Sequence, residues 1–344
     1  MLGLHDYTDD VTGIITVTDS GRSTGAVRSI LGVPAPGDLR NAIVTLSQAD
    51  PLLRDLFQHR LISQRLNEFN GVAFGNLFIA ALAQMTGSFE RAIEEANRLL
   101  KPAARILPVT LANTHLCAEL VDGTLRYEEV SVRGLNKPSI KRVFLRDDGV
   151  EAYPAAVEAI KAADVITLGP GSLFTTVIAS LLVQGVREAI AEARERGART
   201  VYVSNTTTQP GQSDGMTSYD HVAEVVSYLG AGLLDYALIN TGIPPEPILE
   251  RYRSNGLSTL AITPEEVSKI ADLDVQVVAG NLIEQDSGER FLWNKQDAIR
   301  HDSAVVGREL VQIFNEPQPR PAAAADEEPS SQASTAPQLG WQEA

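Results

Sequence analysis

Cysteine is almost missing from this chain: Cys117 is the only one in 344 residues. That excludes an internal disulfide framework and fits a reducing compartment, with Cys117 read as a small buried apolar residue. A basic excess is missing too. Lysine and arginine number 29 against 44 aspartates and glutamates, a formal net charge of −15. Nucleic acid and anionic membrane surfaces both ask for a basic footprint, so neither is expected as the main partner. No apolar run approaches the roughly 18 residues of a membrane span, and the N-terminus has no basic segment followed by an apolar one. A cytoplasmic protein is expected. Aromatic residues make up only 6%, yet 44% of the chain is hydrophobic. A globular chain near 300 residues buries roughly 75% of its unfolded surface, enough for one large domain or two modest ones.

The stretch that organises the rest is Val165-Ile166-Thr167-Leu168-Gly169-Pro170-Gly171-Ser172-Leu173. A short β-branched and apolar run reads as a strand buried on both faces, the Gly-Pro-Gly-Ser turn stops it, and an Ala-, Leu-, Glu- and Arg-rich helical segment follows to Gly197. At such a junction the helix begins with unpaired N–H groups and a partial positive charge, and Gly169 and Gly171 have no side chain to keep an anion away. Gly169, Gly171, Ser172 and Leu173 are therefore candidate donors to a phosphate or carboxylate. Open parallel sheets bind ligands beyond the carboxyl ends of their strands, so other polar loops should converge here.

Several loops qualify. A strand within Val11 to Thr18 runs into Asp19-Ser20-Gly21-Arg22-Ser23-Thr24-Gly25, where Asp19 would accept hydrogen bonds from a ribose or steer a metal and Ser23, Thr24 and Gly25 offer donors; a polar turn with an Asp helix cap is the structural alternative. Pro36-Gly37-Asp38-Leu39-Arg40-Asn41 clusters Gly37, Asp38, Arg40 and Asn41 at a helix start, with Asp38 either functional or simply the N-cap. Arg22, Arg28 and Arg40 would give a local positive field in an acidic chain. A helix is expected over Leu52 to Leu66. Gly75 and Asn76 open an apolar helix and either admit a ligand or permit tight packing. Phe89 to Leu100 is a further helix with one solvated face. Residues of about 106–147 read as a small β-rich excursion with strands Val109 to Leu111, Cys117 to Val121, Leu125 to Val132 and Ile140 to Leu145, and Asp122-Gly123 as a hairpin turn. Strand Thr200 to Ser204 ends in Asn205-Thr206-Thr207-Thr208-Gln209-Pro210-Gly211-Gln212, where the amides of Asn205 and Gln209 would read a base or sugar. Asp220-His221 reads as a cap beside a structural histidine, and His301 next to Asp302 carries little weight. Residues 1–315 form one α/β domain in this reading, and 316–344, rich in Pro, Ala, Ser, Gln and Glu, a disordered tail.

With these loops side by side, the chain resembles the family of bacterial gluconeogenesis factors and 2-phospho-L-lactate transferases (CofD-like, YvcK-type). The resemblance rests on seven blocks in order: Asp19 to Gly25, Pro36 to Asn41, Gly75-Asn76-Leu77, Leu168 to Leu173, Thr208 to Gly211, Asp220-His221-Val222 and Arg300-His301-Asp302. It implies a three-layer, Rossmann-like α/β fold with a mostly parallel sheet. For the gluconeogenesis-factor branch it implies binding of a nucleotide-sugar of the UDP-sugar type and regulation of carbon metabolism and cell shape. For the transferase branch it implies moving a phospholactyl group from a guanosine diphosphate donor onto a deazaflavin acceptor, with Asp38 holding Mg²⁺ or activating the acceptor hydroxyl. No cofactor is expected otherwise, no metal site is assigned, and a homo-oligomer is compatible with either branch. Three departures are visible. Family members usually open with a strand and a Gly-Gly-Gly-Thr-Gly loop, whereas this sequence opens at Met1-Leu2-Gly3-Leu4, which implies a start upstream or one strand and one phosphate loop fewer. Val72 stands where a histidine is expected, and Ser20 and Arg22 replace an acid and a glycine. Each change favours binding over transfer.

Overall fold

The computed structural model describes residues 1–62, 70–254, 256–284 and 299–316. The first parallel pair is β1 (Thr12–Ile15) with β2 (Arg105–Pro108), Thr12 opposite Arg105 and Ile15 opposite Pro108. Five helices lie between them: α1 (Arg22–Leu31), α2 (Gly37–Thr45), α3 (Pro51–Gln58), α4 (Phe74–Thr86) and α5 (Phe89–Leu100). Local chemistry sets their starts. Asp50 accepts from the N–H of Leu52 ahead of Pro51 in α3, and Ser88 accepts from that of Arg91 in α5, each satisfying an otherwise orphaned donor. Apolar side chains of β1, α2, α4 and α5, including Leu39, Ile43, Ile79 and Ile93, close one core. The helix expected over Leu52 to Leu66 ends at Gln58, and its last expected residues fall outside the described ones.

The strand expected at Val109 to Leu111 is displaced to β2, because pairing with β1 sets its span. The antiparallel excursion therefore comprises β3 (Leu116–Leu120), β4 (Leu125–Tyr127) and β5 (Ile140–Leu145), ordered β4-β3-β5. Its tip is the expected turn, with Gly123 at φ +82° and the N–H of Thr124 donating to Asp122 Oδ1. The strand expected to reach Val132 stops at Tyr127. Glu128 adopts φ +69°, a left-handed conformation that ends extended pairing, and the chain turns into the short helix α6 (Glu129–Val132).

After α7 (Pro154–Ala162) comes β6 (Val165–Leu168), then a π-helical turn over Leu173–Ile178 that passes into α8 (Ala179–Leu181). Gly185, at φ +97°, breaks what reads as one helix, so α9 (Val186–Glu195) begins afresh. Then follow β7 (Arg199–Val203), α10 (Ser218–Leu229), β8 (Tyr236–Asn240), α11 (Glu246–Ser254), α12 (Pro264–Ala271), β9 (Gln276–Gly280) and α13 (Ser303–Asn315). Strands β6, β7, β8 and β9 pair in that order, all parallel.

Every residue of β7 and β8 is buried, as a strand covered on both faces requires. Tyr202, Ala237 and Ile239 face a core shared with α9, α10 and the excursion. Val201, Val203, Tyr236 and Leu238 face Val306, Leu310 and Ile313 of α13. Helix, sheet and helix make the expected three layers, and the fold is mixed α/β with mostly parallel strands. One expectation is corrected: among the described residues the parallel strands form two sheets, since no hydrogen-bonded register joins β1–β2 to β6–β9. The tail expected from Glu316 lies, beyond that residue, outside the described ones. No helix among the described residues is long and apolar enough to cross a membrane.

Candidate functional site

The turn after β6 is held from the neighbouring strand. Gly169 sits at φ +82°, where a Cβ would lie 2.9 Å from the carbonyl oxygen of Val203, so both conformation and contact require glycine. The Gly169–Pro170 peptide bond is cis. The Ser172 hydroxyl lies 2.7 Å from Gln209 Oε1 and 2.9 Å from Gln212 Oε1, tying the turn to the loop after β7. Leu173 is buried in the core, which leaves it only a backbone N–H to offer. Asn205 Oδ1 is buried without a hydrogen-bond partner.

Beyond β1 the chain forms a compact acidic knot. Asp19 Oδ1 accepts from the N–H of Gly21 at 2.7 Å, so Asp19 closes its own turn and does not cap α1. A Cβ on Gly37 would sit 3.1 Å from Asp19 Oδ2 and collide with the Thr24 hydroxyl, which brings the start of α2 against this loop. Asp38 is not the N-cap of α2. Pro36 holds that position, and Asp38 lies within the first turn. Burial and the Asp19 charge push the Asp38 carboxyl up to about 6, against the opposing charges of Arg133 and Arg40.

The group that completes the knot is Glu129, on α6 of the excursion, which the sequence reading does not single out. It is only 5% exposed. Its Oε2 accepts from the N–H of Ser20 at 3.2 Å and its Oε1 from Arg133 Nη1 at 3.1 Å, while the N–H of Val130 donates to Ser20 Oγ at 3.1 Å. Burial first, then the hydrogen bond to and charge of Asp19, raise the Glu129 carboxyl to about 8. Asp19 moves the other way. Burial opposes its ionisation, but hydrogen bonds from Glu129, the Gly21 N–H and Thr24 hold it below the usual range. The two opposite directions assign the pair's proton to Glu129 rather than to Asp19.

The turn after α6 reaches the second loop. A Cβ on Gly211, at φ +78°, would meet the carbonyl oxygens of Gly134 at 2.5 Å and Arg133 at 2.7 Å. Contacts therefore run without a break from Asp38 and Asp19 through Glu129 and Arg133 to Gly211, Gln209 and Ser172.

The remaining sequence candidates divide between scaffold and a separate cluster. Gly25 packs on the carbonyl of Ser20. Ser23 Oγ accepts from the N–H of Ala73 and from Asn76 Nδ2. Gly75 serves packing, since a Cβ there would lie 2.7 Å from Arg40 Cδ and 2.7 Å from the Phe57 carbonyl oxygen. Asn41 is exposed, and its Oδ1 accepts from Arg40 Nη2. Arg28 is tied into the scaffold: it donates to Asn113 Oδ1 and to the carbonyls of Asp19 and Thr114, and so clamps the start of the excursion onto the Asp19 loop. His221 is a core residue, its Nδ1 2.9 Å from the carbonyl oxygen of Thr217, with burial lowering its pKa. Thr217 and Asp220 form the capping box of α10. Asp302 caps α13 by accepting from the N–H groups of Ala304 and Val305. Cys117 is buried, as expected. Among the described residues, no three His, Cys, Asp or Glu side chains are grouped to hold a metal ion.

The family model described as 2-phospho-L-lactate transferase CofD matches residues 1–283. The chain belongs to the CofD family. Within that family it is similar to the gluconeogenesis factor of Bacillus subtilis, 34% identical over 91% of this chain and 93% of that protein. The gluconeogenesis factor of Listeria innocua is 37% identical over 91% of this chain and 90% of its own. A crystal structure of a protein from Bacillus halodurans superposes with a TM-score of 0.81 at 33% identity, covering 90% of this chain and 94% of that one. The fold and the family implied by the seven sequence blocks are thus those found.

Proposed function

We propose that this member of the CofD family is a nucleotide-sugar-binding regulatory protein, taking a ligand of the UDP-sugar type in the crevice between the Gly169 turn and the Asp19–Asp38 knot. The observation that carries the reading is the unbroken line of contacts joining loops from the carboxyl ends of β1, β6 and β7. Backbone N–H groups at Gly171, Ser172 and Leu173 offer donors to the diphosphate. Asp19 or Asp38 accepts from sugar hydroxyls, and Asn205, with an unpaired buried Oδ1, reads the base. A role in carbon metabolism accords with relatives named gluconeogenesis factors, a role in cell shape is what the family resemblance implies, and the cytoplasm is the compartment that fits a single-cysteine chain.

The competing reading is phospholactyl transfer to a deazaflavin from a guanosine diphosphate donor. It is favoured by Asp38, whose carboxyl at about 6 sits close to the range that suits a general base at neutral pH. Mg²⁺ needs few protein ligands when substrate phosphates supply the rest, and Asp19 and Asp38 are the carboxylates that would hold it and neutralise phosphate charge. Calorimetric titration with uridine and guanosine diphosphate ligands separates the two. Uridine preference without turnover is expected, together with loss of binding in Gly171→Ala. A Cβ at Gly171 meets only the Thr176 side chain, at 3.2 Å or more, so the fold survives while the anion's approach is blocked. Guanosine preference with product formed on a deazaflavin acceptor would overturn the proposal.

A further inference from the structure

The antiparallel excursion has two outer strands, β4 and β5, and the fold treats them differently. The N–H of Leu120 donates to the carbonyl of Thr124, so by the alternation of an antiparallel ladder Ala118 and Arg126 exchange backbone hydrogen bonds, while Leu125 and Tyr127 turn their N–H and C=O groups to the open side. The same alternation makes Cys117 bond Phe144 and turns Val143 away from β3. That outward N–H of β5 is covered: it donates to the Tyr228 hydroxyl of α10 at 2.8 Å. Along β4, no backbone group among the described residues takes up the outward pairs of Leu125 and Tyr127. One edge of the sheet is closed and the other is open.

Side chains sort by the same alternation. Leu116, Ala118, Val143 and Leu145 face the core. The opposite face sets Tyr127 and Phe144 on either side of Cys117, and Leu125 and Arg142 on either side of Glu119. Leu125 and Tyr127 are 42% and 54% exposed, so the open edge carries apolar surface beside its unmet backbone groups. Its charge is positive. Glu119 is shared between Lys141 and Arg142, each at 2.7 Å, and Arg126 lowers the pKa of Asp122 by its charge but forms no salt bridge among the described residues. Six lysines and arginines against two glutamates lie from Arg126 to Arg146, in a chain whose net charge is −15.

We propose that the open edge of β4 is a docking site for an extended segment of another protein, added as a fourth strand, whose residues run apolar, acidic, apolar. The register supplies that pattern. Residues facing Leu125 and Tyr127 exchange backbone hydrogen bonds with them and lie beside their exposed side chains, and the residue between faces Arg126 as a close pair without hydrogen bonds, where opposite charge stabilises. A second copy of this chain does not fit: two β4 strands meeting about a twofold axis set Arg126 against Arg126. The end of this chain does not fit either, since residues 317–344 contain no acidic residue between two apolar ones. The site does not depend on what the crevice binds.

The test is fluorescence anisotropy of a labelled, end-capped peptide with Val-Glu-Val at its centre and serine and threonine flanks, titrated with the full chain. Two control peptides carry Val-Lys-Val, which reverses the charge, and Pro-Glu-Pro, which keeps the charge but lacks the two N–H groups. Saturable binding of the Val-Glu-Val peptide is expected, with about fivefold weaker binding of Val-Lys-Val and none of Pro-Glu-Pro. Arg126→Glu should reverse the order of the first two peptides. Should that variant fail to fold, Arg126→Gln, which removes only the charge, should bind those two within about twofold of each other. No saturable binding of Val-Glu-Val by about 1 mM overturns the site. Pro-Glu-Pro binding as tightly as Val-Glu-Val reduces the contact to charge alone and overturns strand addition. An unchanged order of peptides in Arg126→Glu, or unchanged discrimination in Arg126→Gln, overturns the acidic pattern. A dimer in sedimentation that the Val-Glu-Val peptide splits gives the edge to a second copy and overturns the choice of occupant.

Discussion

Replacing Glu129 by glutamine isolates the proton it shares with Asp19. Glutamine keeps the size of the side chain and a donor toward Asp19, but its single oxygen meets either the Ser20 N–H or Arg133 Nη1, a cost that does not change with pH. What it removes is one titration. The wild-type carboxyl ionises near 4.5 in an unfolded chain and at about 8 when folded. The native state therefore holds a proton that the unfolded state has released, and stability falls as pH rises through that interval. The slope is about 1.4 kcal/mol per pH unit for one proton, or about 2.7 kcal/mol between about pH 5.5 and about pH 7.5. Other titrating groups contribute to both proteins and largely cancel in the difference. Urea unfolding of wild type and Glu129→Gln across this range should show the variant gaining on the wild type by that amount as pH rises. A difference flat to within about 0.5 kcal/mol would mean that Glu129 is already ionised in the folded protein and that the shared proton does not exist.

Two further substitutions probe the scaffold behind the crevice. Gly75→Ala should destabilise by about 1–3 kcal/mol, because the new methyl meets the Phe57 carbonyl, which is backbone and cannot swing away; an unchanged urea midpoint would show that α3 and α4 pack more loosely than described. Asp302→Ala removes the acceptor for two N–H groups at the start of α13 and should lower stability by about 1 kcal/mol, read as a Tm drop of about 2 °C.

Elements were legible where their ends carry chemistry. Phe89–Leu100 is bounded by a capping serine and the end of its apolar stripe, and Ile140–Leu145 and Val165–Leu168 by turn residues, so their limits matched the structure. Leu125 to Val132 misled because valine and tyrosine favour strands, whereas one residue at positive φ and the docking of Glu129 on Ser20 decided the outcome. The division into two parallel sheets could not be read, since composition identifies strands and not their partners. The Asp19 and Asp38 loops announced themselves by glycines and polar residues next to strands. Glu129 did not: within Tyr127-Glu128-Glu129-Val130 it looks like any solvated acid. Only its position, more than a hundred residues away in sequence from the loop it touches, gives it a role.

The excursion has a consequence for how the molecule is put together. Its short helix meets Ser20 on one flank and the turn after that helix meets Gly211 on the other, so the segment acts as a rivet between the first and second halves of the chain. Neither half, expressed alone, owns a complete set of the loops assigned to the proposed site. A split protein would regain one only when the fragment bearing residues 116–145 meets both flanks, whereas the distant hairpin tip at Asp122-Gly123 is free to lengthen or shorten without loosening the joint.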